Sequence, residues 1–294
     1  MHYRKKIDNP LAVKVMAKQH YQRKSTELQQ TEQWQKKLKE DVIAVEEPLQ
    51  ISLSYYDLSS DQYQTKILSI TMRTPGHDCE LVHGFLLCEG IINKKEDIKE
   101  CEFDRQQHKG NAVCVVLAKH VQPNWRTIER QFTSHSSCGI CGKTSLNALQ
   151  LKVPATATES KITINSQHIY TLPEQLRAFQ TTFSQTGGSH AAGLYCVDQF
   201  IATAEDIGRH NAVDKVIGLN CLTKTCNAET ILVLSGRISF ELVQKAIMAN
   251  IHIIAAVGAP SALAISAAKK FNVTLIGFIK TDSFNVYHGD WRVL

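Results

Sequence analysis

The sequence predicts an α/β protein: an α+β N-terminal part followed by an α/β domain of strand–helix units. Two observations carry this. Short apolar strands alternate with helices through the last third of the chain at the spacing of parallel crossovers, and the first part holds β-branched runs around a single helical stretch. A third observation sets the bounds. With 294 residues, 43% hydrophobic and 21% charged, the chain is close to ordinary globular usage and long enough to bury a sizeable core.

Taken in order, residues 1–41 read as a polar, basic N-terminal extension in contact with solvent. The formal charge of +5 is concentrated there, because residues 1–40 hold ten Lys and Arg against four Asp and Glu. The body is near neutral, which argues against a nucleic-acid surface while leaving room for a local basic pocket for one phosphorylated ligand. Strands follow at Val42–Val45, Leu49–Ser54, Ile67–Thr71 and Ala112–Leu117. Between them, Pro75–Gly76 turns the chain, Asp78 caps a helix, and Leu81, Phe85 and Cys88 share its buried face until Gly90. This α+β domain spans residues 42–150.

The second domain covers residues 151–294. It opens with a hairpin of Gly193–Val197 and Phe200–Ala204, then places buried strands at Ile231–Leu234, Ile251–Ala256 and Val273–Phe278 with helices at Ser239–Ala249 and Ser261–Lys270. The long uncharged stretch Ala246–Ala268 is punctuated by Asn250, His252, Gly258, Pro260 and Ser261, so no membrane span is expected. The cysteines number nine, an odd count, and the N-terminal stretch lacks a secretory leader pattern. Reduced, cytoplasmic thiols are the expectation.

Open α/β sheets bind ligands at the carboxyl ends of their strands. The loops there are Ser235–Gly236–Arg237, Gly258–Ala259–Pro260–Ser261 and Lys280–Thr281–Asp282–Ser283. Gly, Pro and Ser make good turns in any protein. Three such loops on one edge, two of them carrying a cation, put a site for a phosphate-like anion level with plain turns.

The sharpest local feature is Cys138-Gly139-Ile140-Cys141, preceded by Ser136 and Ser137 and followed by Gly142 and Lys143. The glycines and polar flanks predict an exposed loop, and Lys143, with His135 nearby, favours thiolate. Three uses compete with coincidence: zinc, a redox pair, and sulfur transfer. Zinc wants a second ligand pair, and a thioredoxin-like pair wants Pro and Trp that are absent here, but these residues alone decide none of the three. Gly187-Gly188-Ser189-His190 precedes the hairpin and suits either a tight turn or close approach to a ligand. In Glu205–Lys215, helix capping by Asn211 and an Asp206–Arg209 pair are preferred to a metal at Asp206 and His210, with a phosphate-binding Arg209 as the middle option.

These pieces in order resemble the FdhD family of formate dehydrogenase accessory sulfur carriers. The blocks are Met72-Arg73-Thr74-Pro75-Gly76-His77-Asp78-Cys79-Glu80-Leu81, Gly84-Phe85-Leu86, Glu89-Gly90-Ile91-Ile92, Ser137–Gly142, Thr186–Ala192, Glu205–Lys215, Ser235–Arg237, Ala259–Ser261 and Gly277–Phe278. The resemblance runs from about Glu47 to Tyr287. It implies a carrier that takes sulfur from a cysteine desulfurase and gives it to the molybdenum or tungsten bis(molybdopterin guanine dinucleotide) cofactor of formate dehydrogenase. Cys138 would hold the persulfide and Cys141 would assist. Phe278, Ile279, Lys280, Thr281, Asp282 and Ser283 would bind the cofactor, joined by Arg237 from the loop reading above. It further implies a homodimer, no structural metal, and a second domain of the cytidine-deaminase-like, three-layer α/β kind.

That last point raises a rival, a zinc deaminase. Such an enzyme needs a Glu two residues after its first ligand and a Pro-Cys-x-x-Cys downstream. Here Ala192 follows His190, and the Cys-x-x-Cys lies upstream. The stronger alternative is a non-catalytic molybdenum-cofactor or guanine-nucleotide chaperone, which would keep the strand-end loops and dispense with the thiols.

Overall fold

The computed structural model describes residues 12–24, 33–104, 110–125, 128, 160–223 and 229–294. Its strands fall into a two-stranded ribbon, a four-stranded sheet and a six-stranded sheet.

Part of the N-terminal extension forms a paired ribbon. Strands β1 (Ala12–Lys24) and β2 (Gln33–Ala44) pair antiparallel, and β2 runs across the domain boundary expected at residue 41. Apolar and polar residues alternate at Val13, Val15 and Ala17, a strand period. The abundance of Lys around them masks that signal, although Lys is the usual guard of an unshielded strand edge.

The four-stranded sheet has the order β4-β3-β6-β5, with β3 (Glu47–Asp57), β4 (Gln62–Arg73), β5 (Ile98–Phe103) and β6 (Ala112–Leu117). Helix α1 (Asp78–Cys88) covers one face, burying Leu81, Val82 and Leu86 against Leu49, Ile51, Leu53, Val113 and Val115. The expected Asp78 cap is not made. The Arg73 guanidinium takes both carboxylate oxygens of Asp78, at 2.9 and 3.0 Å, and His77 enters the helix in a left-handed conformation with no side-chain cap. Buried Arg73 needs a bidentate partner more than the helix needs a capped N–H.

The six-stranded sheet has the order β12-β11-β10-β9-β7-β8. The hairpin β7 (His190–Cys196) and β8 (Gln199–Asp206) is longer than expected and lies antiparallel to β9 (Ile231–Leu234). Strands β9, β10 (Ile253–Ala256) and β11 (Thr274–Gly277) are parallel, and β12 (Asn285–His288) closes the edge antiparallel. Fully buried four-residue strands of Ile, Leu, Val and Ala give the runs visible in the sequence. On one face pack α4 (Arg209–Thr223), α5 (Phe240–Met248) and α6 (Ala262–Lys270); on the other lies α2 (Ser166–Ala178), followed by the short α3 (Thr181–Thr186). Three layers result.

The two sheets meet through α1 and α4. A Cβ at Gly84 would stand 1.9 Å from the Asp214 carbonyl oxygen, and one at Gly218 would stand 1.8 Å from that of Glu80. Only glycine permits this backbone-to-backbone crossing. A buried polar lock lies beside it. Lys215 Nζ donates to Asp206 Oδ2 and to the Thr74 carbonyl, both at 2.8 Å, and Asp206 also accepts the N–H groups of Thr74 and Gly208. The expected Asp206–Arg209 pair is therefore replaced by Asp206–Lys215. Nor does Asn211 cap α4: its side-chain amide donates to the Met72 carbonyl at 2.7 Å and to Asp206 at 3.1 Å, tying the helix to β4.

Candidate functional site

One edge of the six-stranded sheet gathers every ligand loop that the sequence suggested. Parallel β9, β10 and β11 end there, antiparallel β7 begins there and β8 finishes there. The loops lie against one another through glycine. A Cβ at Gly258 would meet the Arg237 nitrogen and the Gly236 carbonyl oxygen at 2.7 Å, and one at Gly277 would meet the Gly258 oxygen at 3.1 Å. The Gly258 N–H donates to the Gly236 carbonyl and the Phe278 N–H to the Gly258 carbonyl, so the three loops share backbone hydrogen bonds.

A cleft of about 370 Å³ opens beside this stack, lined by Arg177, Phe183, the loop from Gly187 to His190, and Ser235 and Gly236. The Gly187–His190 loop is held rigidly. Glu205 accepts the N–H groups of Thr182 and Phe183, each at 2.8 Å, and the Ser189 hydroxyl at 2.7 Å. Its carboxylate thereby occupies the start of α3 and fixes the loop at once. Gly187 adopts φ 65° to leave the helix, a conformation that glycine tolerates at little cost.

Cations act on the cleft through His190. Burial, then the Arg209 and Arg237 guanidinium groups, hold the His190 imidazole below its ordinary value, against a weaker opposing pull from Asp206. Arg209 opens α4, where the helix dipole adds positive potential, and its Nε is buried with no hydrogen-bond partner among the described residues. A buried guanidinium N–H left unsatisfied is costly. His210 turns away from this point, with Nε2 3.4 Å from the Ser239 hydroxyl and 4.0 Å from Glu241. Asp206 is fully buried on Lys215. The two therefore do not form a metal pair.

The loop after β11 divides its tasks. Phe278 is exposed and held at φ 53°, while the Ile279 side chain is buried in the α2-side core. Such a conformation is strained for an aromatic residue, by about 1–3 kcal/mol. Here it turns Lys280, Thr281, Asp282 and Ser283 out to solvent, with the Lys280 N–H closing on the Ser283 carbonyl at 2.8 Å. Ile279 thus anchors the loop through its side chain. Arg237 is exposed at the same edge. Cys138 and Cys141 lie outside the described residues. Arg177 was not anticipated from sequence. It comes from the last turn of α2, stacks 4.2 Å over the Phe183 ring, and belongs to no motif.

Fold and site together define a three-layer α/β protein with a glycine-walled cleft, lined by Arg177 and His190, at a strand-end edge. The chain belongs to the FdhD/NarQ family, whose model matches residues 44–294. It is 42% identical over 257 residues to the sulfur carrier protein FdhD of Mycobacterium bovis, covering 84% of this chain and 90% of that one. It is also 42% identical over 258 residues to the protein of the same name from Sulfolobus acidocaldarius, covering 86% and 92%. A crystal structure from Desulfotalea psychrophila, provisionally described as a formate dehydrogenase accessory protein, superposes with a TM-score of 0.66 at 21% identity, over 96% of this chain and 99% of that one. Among the described residues, no helix is long and apolar enough to cross a membrane.

Proposed function

We propose that the protein is a sulfur carrier that loads Cys138 with persulfide sulfur from a cysteine desulfurase and delivers it to the bis(molybdopterin guanine dinucleotide) cofactor destined for formate dehydrogenase. One observation carries the reading: a cleft lined by Arg177 and by His190, on which Arg209 and Arg237 act electrostatically, stands in a chain whose relatives are named sulfur carriers. The acceptor is a substrate here. Its phosphates suit Arg209, Arg237, His190 and Lys280, and the glycine stack allows the backbone to approach them.

The chemistry is thiol exchange. The Cys138 thiolate attacks the outer sulfur of the desulfurase persulfide and releases the desulfurase thiolate. Attack by Cys141 on the inner sulfur of the Cys138 persulfide then frees the outer atom as hydrosulfide, leaving a disulfide for a cellular thiol to reduce. The reading places the protein in the cytoplasm as a homodimer, with the desulfurase and the dehydrogenase as partners.

Desulfurase with free cysteine should add about 32 Da per sulfur to the intact chain, removable by dithiothreitol. Cys138→Ala should abolish this gain together with formate dehydrogenase maturation. Unchanged loading and maturation in that variant would overturn the carrier role. Among the described residues that line the cleft there is no thiol, and the chaperone is the second reading; it predicts cofactor binding and maturation without any mass gain.

A further inference from the structure

A second thiol pair lies far from the Cys-x-x-Cys in sequence. Cys79 is the second residue of α1, and Cys101 sits in the middle of β5. Their sulfurs are 3.4 Å apart. The sheet register explains the meeting: Cys101 pairs with Val115, whose side chain is fully buried in the core beneath α1, so Cys101 points to the same face. Cys114 pairs with Glu102, one residue out of phase, and therefore points to the opposite face. Both Cys79 and Cys101 are partly exposed.

The surroundings suit a reactive thiolate. Cys79 lies in the first turn of an eleven-residue helix, which favours negative charge. The Cys101 thiol, then the His83 ring one turn along, pull the Cys79 thiol down to about 5 against partial burial. Burial of His83 opposes its charge, yet the neighbouring Cys79 raises it overall. Cys101 is shifted upward, chiefly by Cys79. This gives one nucleophile and one thiol in reserve, the arrangement of an attacking and a resolving cysteine. Shortening 3.4 Å to a bond of about 2.05 Å requires each sulfur to move by less than about 1 Å.

We infer that Cys79 and Cys101 form a peroxide-responsive dithiol that closes to a reversible disulfide between α1 and β5. The Cys79 thiolate attacks hydrogen peroxide, the O–O bond breaks, and hydroxide leaves to take a proton, giving a sulfenic acid. Cys101 then attacks the Cys79 sulfur, the S–O bond breaks, and the departing hydroxide takes the Cys101 proton. Two thiols lose two electrons and two protons, and one peroxide becomes two waters. A cellular dithiol reverses the bond by exchange.

The test uses the full chain carrying Cys138→Ser and Cys141→Ser, which keeps the outcome independent of the sulfur-carrier reading. After a slight excess of hydrogen peroxide, the intact mass should fall by about 2 Da. Non-reducing peptide mapping should join Cys79 to Cys101, while Cys114 keeps its alkylation. Adding Cys101→Ser should replace the bridge by a dimedone adduct on Cys79, and adding Cys114→Ser should leave the bridge intact. Full alkylation of both cysteines after peroxide, bridging of Cys79 to any other cysteine, or no dimedone adduct in the Cys101→Ser chain would each overturn the inference.

Discussion

The crossing of α1 and α4 gives the most demanding prediction. Alanine in a helix interior is ordinarily favoured over glycine by about 1 kcal/mol, so Gly84→Ala should stabilise an isolated α1. In the folded protein the new Cβ would stand 1.9 Å from the Asp214 carbonyl oxygen and 2.7 Å from its carbon. Both are backbone atoms of a helix, so no rotamer change relieves the overlap, and the helices must part by about 1 Å or more to restore normal contact. Separation loosens Leu81, Val82 and Val213, all buried near the crossing. Overpacking of this kind costs about 1–3 kcal/mol, and the obstructing backbone puts this site at the upper end, for a net loss of about 2 kcal/mol after the propensity gain. Urea unfolding should show a lower midpoint at an unchanged slope. Gly218→Ala should behave alike, since its Cβ would meet the Glu80 carbonyl at 1.8 Å. The double variant should lose less than the sum, because one separation accommodates both methyl groups. A Gly84→Ala protein as stable as its parent would refute the close crossing.

Two further outcomes follow from buried charge and from the cleft. Lys215→Met leaves the Asp206 carboxylate, fully buried, without its ammonium partner; unfolding should show a loss of about 3–5 kcal/mol, and a loss under 1 kcal/mol would argue that Asp206 is sustained by its N–H donors alone. The His190 imidazole is held low by burial and by Arg209 and Arg237, whereas a bound anion favours its charged form and raises it. Binding then takes up a proton, so pyrophosphate should bind more tightly as pH falls from about 8 toward 6 and level off once free His190 is itself protonated. Titration calorimetry should show this trend flatten in His190→Gln, and an unchanged trend would remove His190 from the cleft.

Much of this architecture could be read from short-range pattern. Ile231–Leu234 is a strand over those same residues because four consecutive buried apolar side chains leave little else to form, and Ser261 caps α6, its hydroxyl accepting the Ala264 N–H. Misreadings arose where the deciding contact was distant or lacked a core. The ribbon strands pair mainly with each other, so no apolar run marks them. Asp206 chose Lys215 over Arg209 because burial of the Thr74 turn requires a cation that can also donate to its carbonyl. The strand-end edge was legible from the general rule for α/β sheets, whereas Arg177 enters from the opposite helical layer. Cys79 and Cys101 meet only through the strand register.

The Thr74 turn, with Lys215 and Asp206 folded around it, also decides whether the molecule can be divided. Cutting the gene between the sheets would strand a lysine and an aspartate in a surface built to be sealed by residues 71–78. Neither half would retain a satisfied interior, so the proposed persulfide loading and cofactor docking cannot be assigned by expressing halves separately. They would have to be separated by point substitutions in the intact chain.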